Sequence, residues 1–208
     1  MSNKPQLKLA VLSDYICPFC YIGYLRLEKL RPYFDLAVNW VFVEIHPDSP
    51  PEGKPVSQLG YSQQHLERLL DQLGELARAE GVELPPHSFT TNSHHALLLA
   101  EAAKQHGADV FYTLHRRLVE AFLLEGQNIG DTRQLERLAG ACGVPCATVE
   151  EAWQAPVYEQ TLRRNLAAAA RNGATATPTF FIGEMRLTGA VPVDALMAAA
   201  VSAGTSDS

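Results

Sequence analysis

At the two ends of the chain, apolar residues cluster in short runs of strand length. Between them they recur at helical spacing, and that contrast predicts the architecture. Leu7 to Ser13 (LKLAVLS) reads as the first strand. After Asp14-Tyr15-Ile16 come Cys17-Pro18-Phe19-Cys20 and YIGYLRLEKLRPYF, where Ile22, Leu25, Leu27 and Leu30 mark a broad apolar helical face. Pro18 suits the first turn of this helix, because the N–H it lacks would have no partner there. Ala37 to Ile45 (AVNWVFVEI) is rich in β-branched and aromatic residues and predicts a second, central strand.

His46 to Gly60 (HPDSPPEGKPVSQLG) is dense in Pro and Gly and reads as a loop. Helical patterns follow over Ser62 to Glu80, Ser93 to His106, Val110 to Glu125, Thr132 to Ala141 and Ala147 to Gln154. The first carries a stripe of Leu66, Leu69, Leu70, Leu73 and Leu76, and Asn92 or Ser93 caps the second. No strand and no internal repeat are expected in this block. After Pro156 a long helix runs to Asn172, with Gly173 as its stop. Within Ala174 to Gly183 the apolar run reads as a strand, Glu184 as a turn residue and MRLTG as its partner strand. Pro192 to Ala203 closes with a helix, leaving GTSDS as a frayed tail. The order βαβ, helical block, αββα predicts an α/β domain interrupted by an all-helical insertion. The expected boundaries are 1–56 and 155–208 for the two parts of the α/β domain and 57–154 for the insertion.

A length of 208 residues suits such a domain. The net charge is −6 and the 17 Lys and Arg residues are spread thinly, so no basic stripe exists for nucleic acid. No apolar run approaches the roughly 18 residues of a membrane span, and MSNKPQLKLAVLSDY does not read as a leader peptide. The expected location is the cytoplasm. Four cysteines are too few for a disulfide-built scaffold. Cys17 and Cys20 form C-x-x-C and Cys142 and Cys146 a looser C-x-x-x-C, spacings that point to redox chemistry or metal binding.

Cys17-Pro18-Phe19-Cys20 and the distant Thr177-Pro178-Thr179-Phe180 resemble, in type, order and local setting, the two active elements of a thioredoxin fold. The helical block between them resembles the insertion of the DsbA branch. Three further segments resemble the FrnE-like group of that branch. They are Ser13-Asp14 through Cys20-Tyr21-Ile22-Gly23, Val43-Glu44-Ile45-His46-Pro47-Asp48 with Pro50-Pro51-Glu52-Gly53, and Gly189-Ala190-Val191-Pro192. The resemblance covers nearly the whole chain and implies a cytoplasmic thiol–disulfide oxidoreductase with a cis Pro178. The dipeptide is Pro-Phe where the best-known member has Pro-His, and Thr177 stands where Val is common. Both departures imply a centre less oxidising than the periplasmic type. Glutathione-using relatives, the kappa-class transferases and hydroxychromene carboxylate isomerases, lack the cysteine pair.

Disulfide exchange needs an attacking thiolate, a resolving thiol and access for a partner disulfide. Cys17, at the helix N-terminus, is the expected nucleophile. Cys20, one turn inside and expected to be the more buried, resolves. Inert apolar thiols and a zinc site using all four cysteines are the alternatives, and Pro18 favours helix entry over a zinc knuckle. A cis Pro178 would set the Thr177 backbone beside Cys17 to pair with substrate, whereas a trans proline would simply open a strand. Glu44 and Asp14 are the candidate acceptors for the Cys20 proton, against plainer roles as a solvated strand end and a turn cap. Pro18, Phe19 and Tyr21 are candidates for the substrate groove, and about half of Tyr15, Phe19, Tyr21 and Tyr24 belong to the core. Cys142 and Cys146 fill helix contacts or form a disulfide, His46 orders the loop after the second strand, and His94-His95 is not expected to hold metal.

The expected partners are disulfide-bearing proteins or small molecules, with glutathione as an optional co-substrate and no resident cofactor or metal. The chain is a monomer or a homodimer. Two rival readings stay open: a glutathione-dependent isomerase or transferase of the same fold, and a redox-switched binding module.

Overall fold

Gln6 and Lys8 of the first strand are exposed while Leu7, Leu9 and Val11 are buried, the period-two signature of a strand with one face on a core. This is β1 (Gln6–Ser13) in the computed structural model, which describes residues 4–86 and 88–205. β2 (Asp35–Phe42) runs parallel to it, from Gln6 opposite Asp35 to Ser13 opposite Phe42. The helix α1 (Pro18–Glu28) joins the two. On the other side β1 pairs antiparallel with β5 (Thr179–Ile182), which pairs with β6 (Met185–Thr188). The sheet order is therefore β2-β1-β5-β6.

Two expectations change here. β2 is an edge strand, not a central one, and it ends at Phe42 rather than Ile45. The ladder stops because β1 has turned away: the Val43 N–H still reaches the Ser13 carbonyl at 3.1 Å, but the Ile45 N–H goes to the Asp14 carboxylate at 2.8 Å. Glu44 thus sits on a loop beyond the strand.

The helical block contains α2 (Gln63–Ala79), α3 (His94–Ala103), α4 (Ala108–Leu123), α5 (Thr132–Ala141) and α6 (Cys146–Gln154), followed by α7 (Pro156–Arg171). α3 is its core. Seven of its residues between Ala96 and Ala103 are buried, because it is packed by α4, α6 and α7. The sequence reading lacked one small sheet, an antiparallel pair of two-residue strands, β3 (Lys54–Pro55) and β4 (Phe89–Thr90). It ties the loop after β2 to the segment entering α3. α8 (Val193–Thr205) packs on β1 and β5. Gly204 and Thr205, expected in the tail, extend this helix, and 206–208 lie outside the described residues. Among the described residues no helix is long and apolar enough to cross a membrane.

α2 is attached to α1 by few contacts. Only Leu73 and Ala77 of α2 are buried, against Ile22. Beside them the Arg26 guanidinium donates to Glu80 at 2.7 Å and to the Ala190 carbonyl at 2.6 Å, and Lys29 stands 2.6 Å from the other Glu80 oxygen. This buried pair fastens the end of α2 and the loop before α8 to α1.

Candidate active site

The turn Asp14-Tyr15-Ile16 delivers Cys17 to the N-cap of α1, where its backbone is extended and Pro18 begins the helix. The Cys17 N–H donates to the Asp14 carbonyl at 3.2 Å, and the Cys20 N–H to the Cys17 carbonyl at 3.0 Å. The two free thiols face each other. A hydrogen bond from Cys20 is the main cause that holds the Cys17 thiol below its ordinary range; Thr177 and the Cys20 amide add to it. Burial and the Asp14 charge act the other way. Cys20 is pushed far up, first by burial and then by Cys17 itself. The pair is thus polarised into one thiol that ionises and one that keeps its proton.

Cys20 is not the more buried of the two, since Cys17 is 4% and Cys20 7% exposed. They differ in direction. Cys17 forms part of a cleft wall, whereas Cys20 lies against Ser13 and the Asp14 amide.

The Thr177–Pro178 peptide bond is cis, and the Thr177 carbonyl stands 3.6 Å from Cys17 Sγ. The loop is fixed on both sides: the Gly189 N–H donates to the Pro178 carbonyl at 2.7 Å and the Thr179 hydroxyl to the Ala176 carbonyl at 2.6 Å. Its approach to α1 depends on Gly23. A Cβ there would lie 2.9 Å from the Phe180 ring and 3.0 Å from the Pro178 ring.

Asp14 and Glu44, the two carboxyl candidates, have different surroundings. Asp14 is 1% exposed and accepts from the Ile45 N–H, from the Ser93 hydroxyl at 3.0 Å and from the Ile16 N–H at 3.3 Å. Burial outweighs these donors and raises its pKa to about 6. Glu44 lines the cleft and is held by His94 Nδ1 at 2.6 Å, while His94 Nε2 lies 3.1 Å from Glu159 on α7. Chiefly through Glu44, these two carboxylates raise the His94 pKa. Asn92, whose side chain accepts from the His94 N–H at 2.9 Å, caps α3, and Ser93 is used on Asp14 instead.

Cys17 opens into a cleft of about 560 Å³ between α1, α2, the loop after β2 and the Thr175–Thr177 segment. Pro18 and Phe19 line it, whereas Tyr21 is turned into the core, as is Tyr15. His46 lines it too, beside Tyr61, so its place is in the cleft wall rather than only in the loop. Burial, with the nearby Lys54 charge, lowers its pKa.

Residues 8–200 match the DSBA-like thioredoxin domain family. The chain belongs to this family. It is 31% identical over 192 residues to the uncharacterized protein YwbO of Bacillus subtilis (strain 168), covering 89% of this chain and 92% of that one. The fold is shared with a probable DsbA oxidoreductase of Streptomyces coelicolor, with a TM-score of 0.82, 24% identity, and 95% and 90% of the two chains covered. It is also shared with a 2-hydroxychromene-2-carboxylate isomerase, with a TM-score of 0.71, 18% identity, and 96% and 95% covered.

Several features of this DSBA-like domain were missed or left open by the sequence reading. The Tyr15 hydroxyl bonds His115 Nδ1 at 2.9 Å, 100 residues away, inside a cage of Trp40, Phe42 and Phe111. Burial drives the His115 pKa down to about 3, so this ring is neutral and braces the turn before Cys17. Cys142 is buried at the end of α5 and Cys146 exposed at the start of α6, both as free thiols. Among the described residues no group of three or more His, Cys, Asp or Glu is arranged to hold a metal ion.

Proposed function

We propose that this protein is a thiol–disulfide oxidoreductase acting through Cys17 and Cys20. The observation that carries the reading is the polarised thiol pair, with Cys17 alone facing the cleft and the Thr177–Pro178 loop. The Cys17 thiolate attacks one sulfur of a substrate disulfide and expels the other as a thiolate. Cys20 then loses its proton and attacks Cys17 Sγ, releasing the second substrate thiol and leaving a Cys17–Cys20 disulfide. Two electrons pass from protein to substrate, and the same steps reversed oxidise a dithiol. When a second thiolate of the substrate, rather than Cys20, attacks the mixed disulfide, a new substrate disulfide forms, Cys17 leaves as the thiolate, and the net result is isomerisation.

Asp14 is the favoured acceptor for the Cys20 proton. It is buried beside the pair with a pKa near neutrality, and its charge is felt at Cys17. Glu44 is instead committed to His94 and positions the cleft wall. The Thr177 backbone pairs with the segment flanking a substrate cysteine. Phe19 brings no charge or proton to the thiolate, so the midpoint lies between those of thioredoxin and DsbA, about −270 and −120 mV. The FrnE-like assignment, rested on the three sequence segments, carries a cytoplasmic location with it. Monomer and homodimer are both compatible with the mechanism.

Equilibration with reduced and oxidised glutathione tests the reading. A reversible two-electron midpoint in that interval supports it, and no reversible midpoint overturns it. A glutathione-dependent isomerase would keep turnover in Cys17→Ser when glutathione is added; the oxidoreductase would lose it.

A further inference from the structure

We infer that the cleft beside Cys17 selects a low-molecular-weight disulfide with an apolar, uncharged body and discriminates against anionic disulfides such as oxidised glutathione. The inference rests on the oxidoreductase reading and deepens it. The wall facing Cys17 is built from Leu66, Leu69, Leu70 and Leu73 of α2, Phe89 of β4 and Leu166 of α7. Among the described residues no Lys or Arg contributes to the lining, and its one carboxylate, Glu44, is hydrogen-bonded to His94 Nδ1 at 2.6 Å.

The leucines are unusual in their setting. No residue in the first half of α2 is buried, Leu70 is 40% exposed, and Leu166 across the mouth is 60% exposed. Among the described residues their apolar stripe meets no buried core at that end of α2, only the cleft. An apolar occupant would remove this surface from water. A carboxylate brought to the same place would lose hydration, meet no Lys or Arg in the lining but only the imidazoles of His46, whose pKa is lowered, and His65, and face Glu44. The cleft volume of about 560 Å³ lies within the range of about 300–1,000 Å³ typical of small-molecule pockets. Exchange in this cleft follows the balanced steps above: the substrate disulfide gains two electrons and leaves as two thiols, and Cys17 and Cys20 become a disulfide.

The test is single-turnover exchange of the pre-reduced full chain with two aromatic disulfides. One is 4,4′-dithiodipyridine, uncharged at pH 7.5; the other is 5,5′-dithiobis(2-nitrobenzoate), which carries two carboxylates. Each rate is divided by the rate of the same reagent with 2-mercaptoethanol, which removes intrinsic reactivity. The expected preference for the uncharged reagent is about tenfold or more, the order of one like-charge repulsion across a partly buried site. Leu166→Lys, at an exposed position, and Leu69→Lys bring a cation to the cleft and are expected to pull the ratio toward unity. Equal normalised rates overturn the inference, as does a ratio that neither variant moves. So does a normalised preference for the disulfide of an unfolded polypeptide over both reagents. If Cys17 exchanges with no disulfide at all, the oxidoreductase reading itself fails.

Discussion

Asp14→Asn probes the electrostatics of the site through stability. The carboxyl is fully enclosed, and three donors only partly offset the loss of hydration, so its pKa rises from 3.8 to about 6. A folded-state pKa above the unfolded one means that the folded protein binds this proton more tightly. The contribution is present in full below about pH 3.8 and is lost as the pH rises through about 6. At about 1.4 kcal/mol per unit, ionised Asp14 costs the folded state about 3 kcal/mol relative to the protonated form. Asn keeps the shape and does not titrate.

Urea unfolding of both proteins from pH 4 to 7.5 gives the difference in stability at each pH. The wild-type protein is expected to lose about 2–3 kcal/mol relative to the variant across that range. His115 works in the opposite sense. Its depressed pKa makes stability fall as the pH drops from 6.5 toward about 3. That effect is common to both proteins and cancels in the difference. A difference that does not change with pH would show that Asp14 titrates as an ordinary surface carboxyl, and the proton-acceptor assignment would fall with it.

Gly23→Ala is expected to destabilise the fold by about 1–3 kcal/mol, read by urea unfolding, because neither Phe180 nor the Pro178 loop has room to retreat; an unchanged midpoint would refute the close approach. Arg26→Met leaves the buried Glu80 with Lys29 alone and is expected to cost about 3 kcal/mol in the same assay. By NMR, His94 is expected to titrate above the ordinary histidine pKa and His115 to show no titration between pH 5 and 8. A His115 midpoint near 6.5 would contradict the closed aromatic cage.

The four strands of the main sheet and the dithiol helix were legible because each carries a local signal, such as a run rich in apolar residues or Pro18 at a helix start. Cys17 and Pro178 carry motif-level signals, and their pairing in space follows from β1 and β5 lying side by side. β3 and β4 were invisible because two residues have no period. The stripe of leucines in α2 was read correctly as a stripe, but periodicity does not tell a core from a cleft. Asn92 and Ser93 were both cap candidates by residue type, and what left Asn92 with that role, the pull of Asp14 on Ser93 from 79 positions away, has no local trace. His115 did leave one, a histidine among the apolar helical positions Phe111, Leu114 and Leu118, where a buried ring is the natural outcome.

The measurement that bears most directly on the account is the rate of alkylation of each cysteine as a function of pH, resolved by peptide mass. Cys146 is exposed and serves as the internal reference. Cys17 is expected to be alkylated selectively, with a midpoint below the ordinary thiol value of about 8.5, while Cys20 stays unreactive throughout. Cys17 reacting more slowly than Cys146 at neutral pH, or Cys20 reacting first, would contradict it.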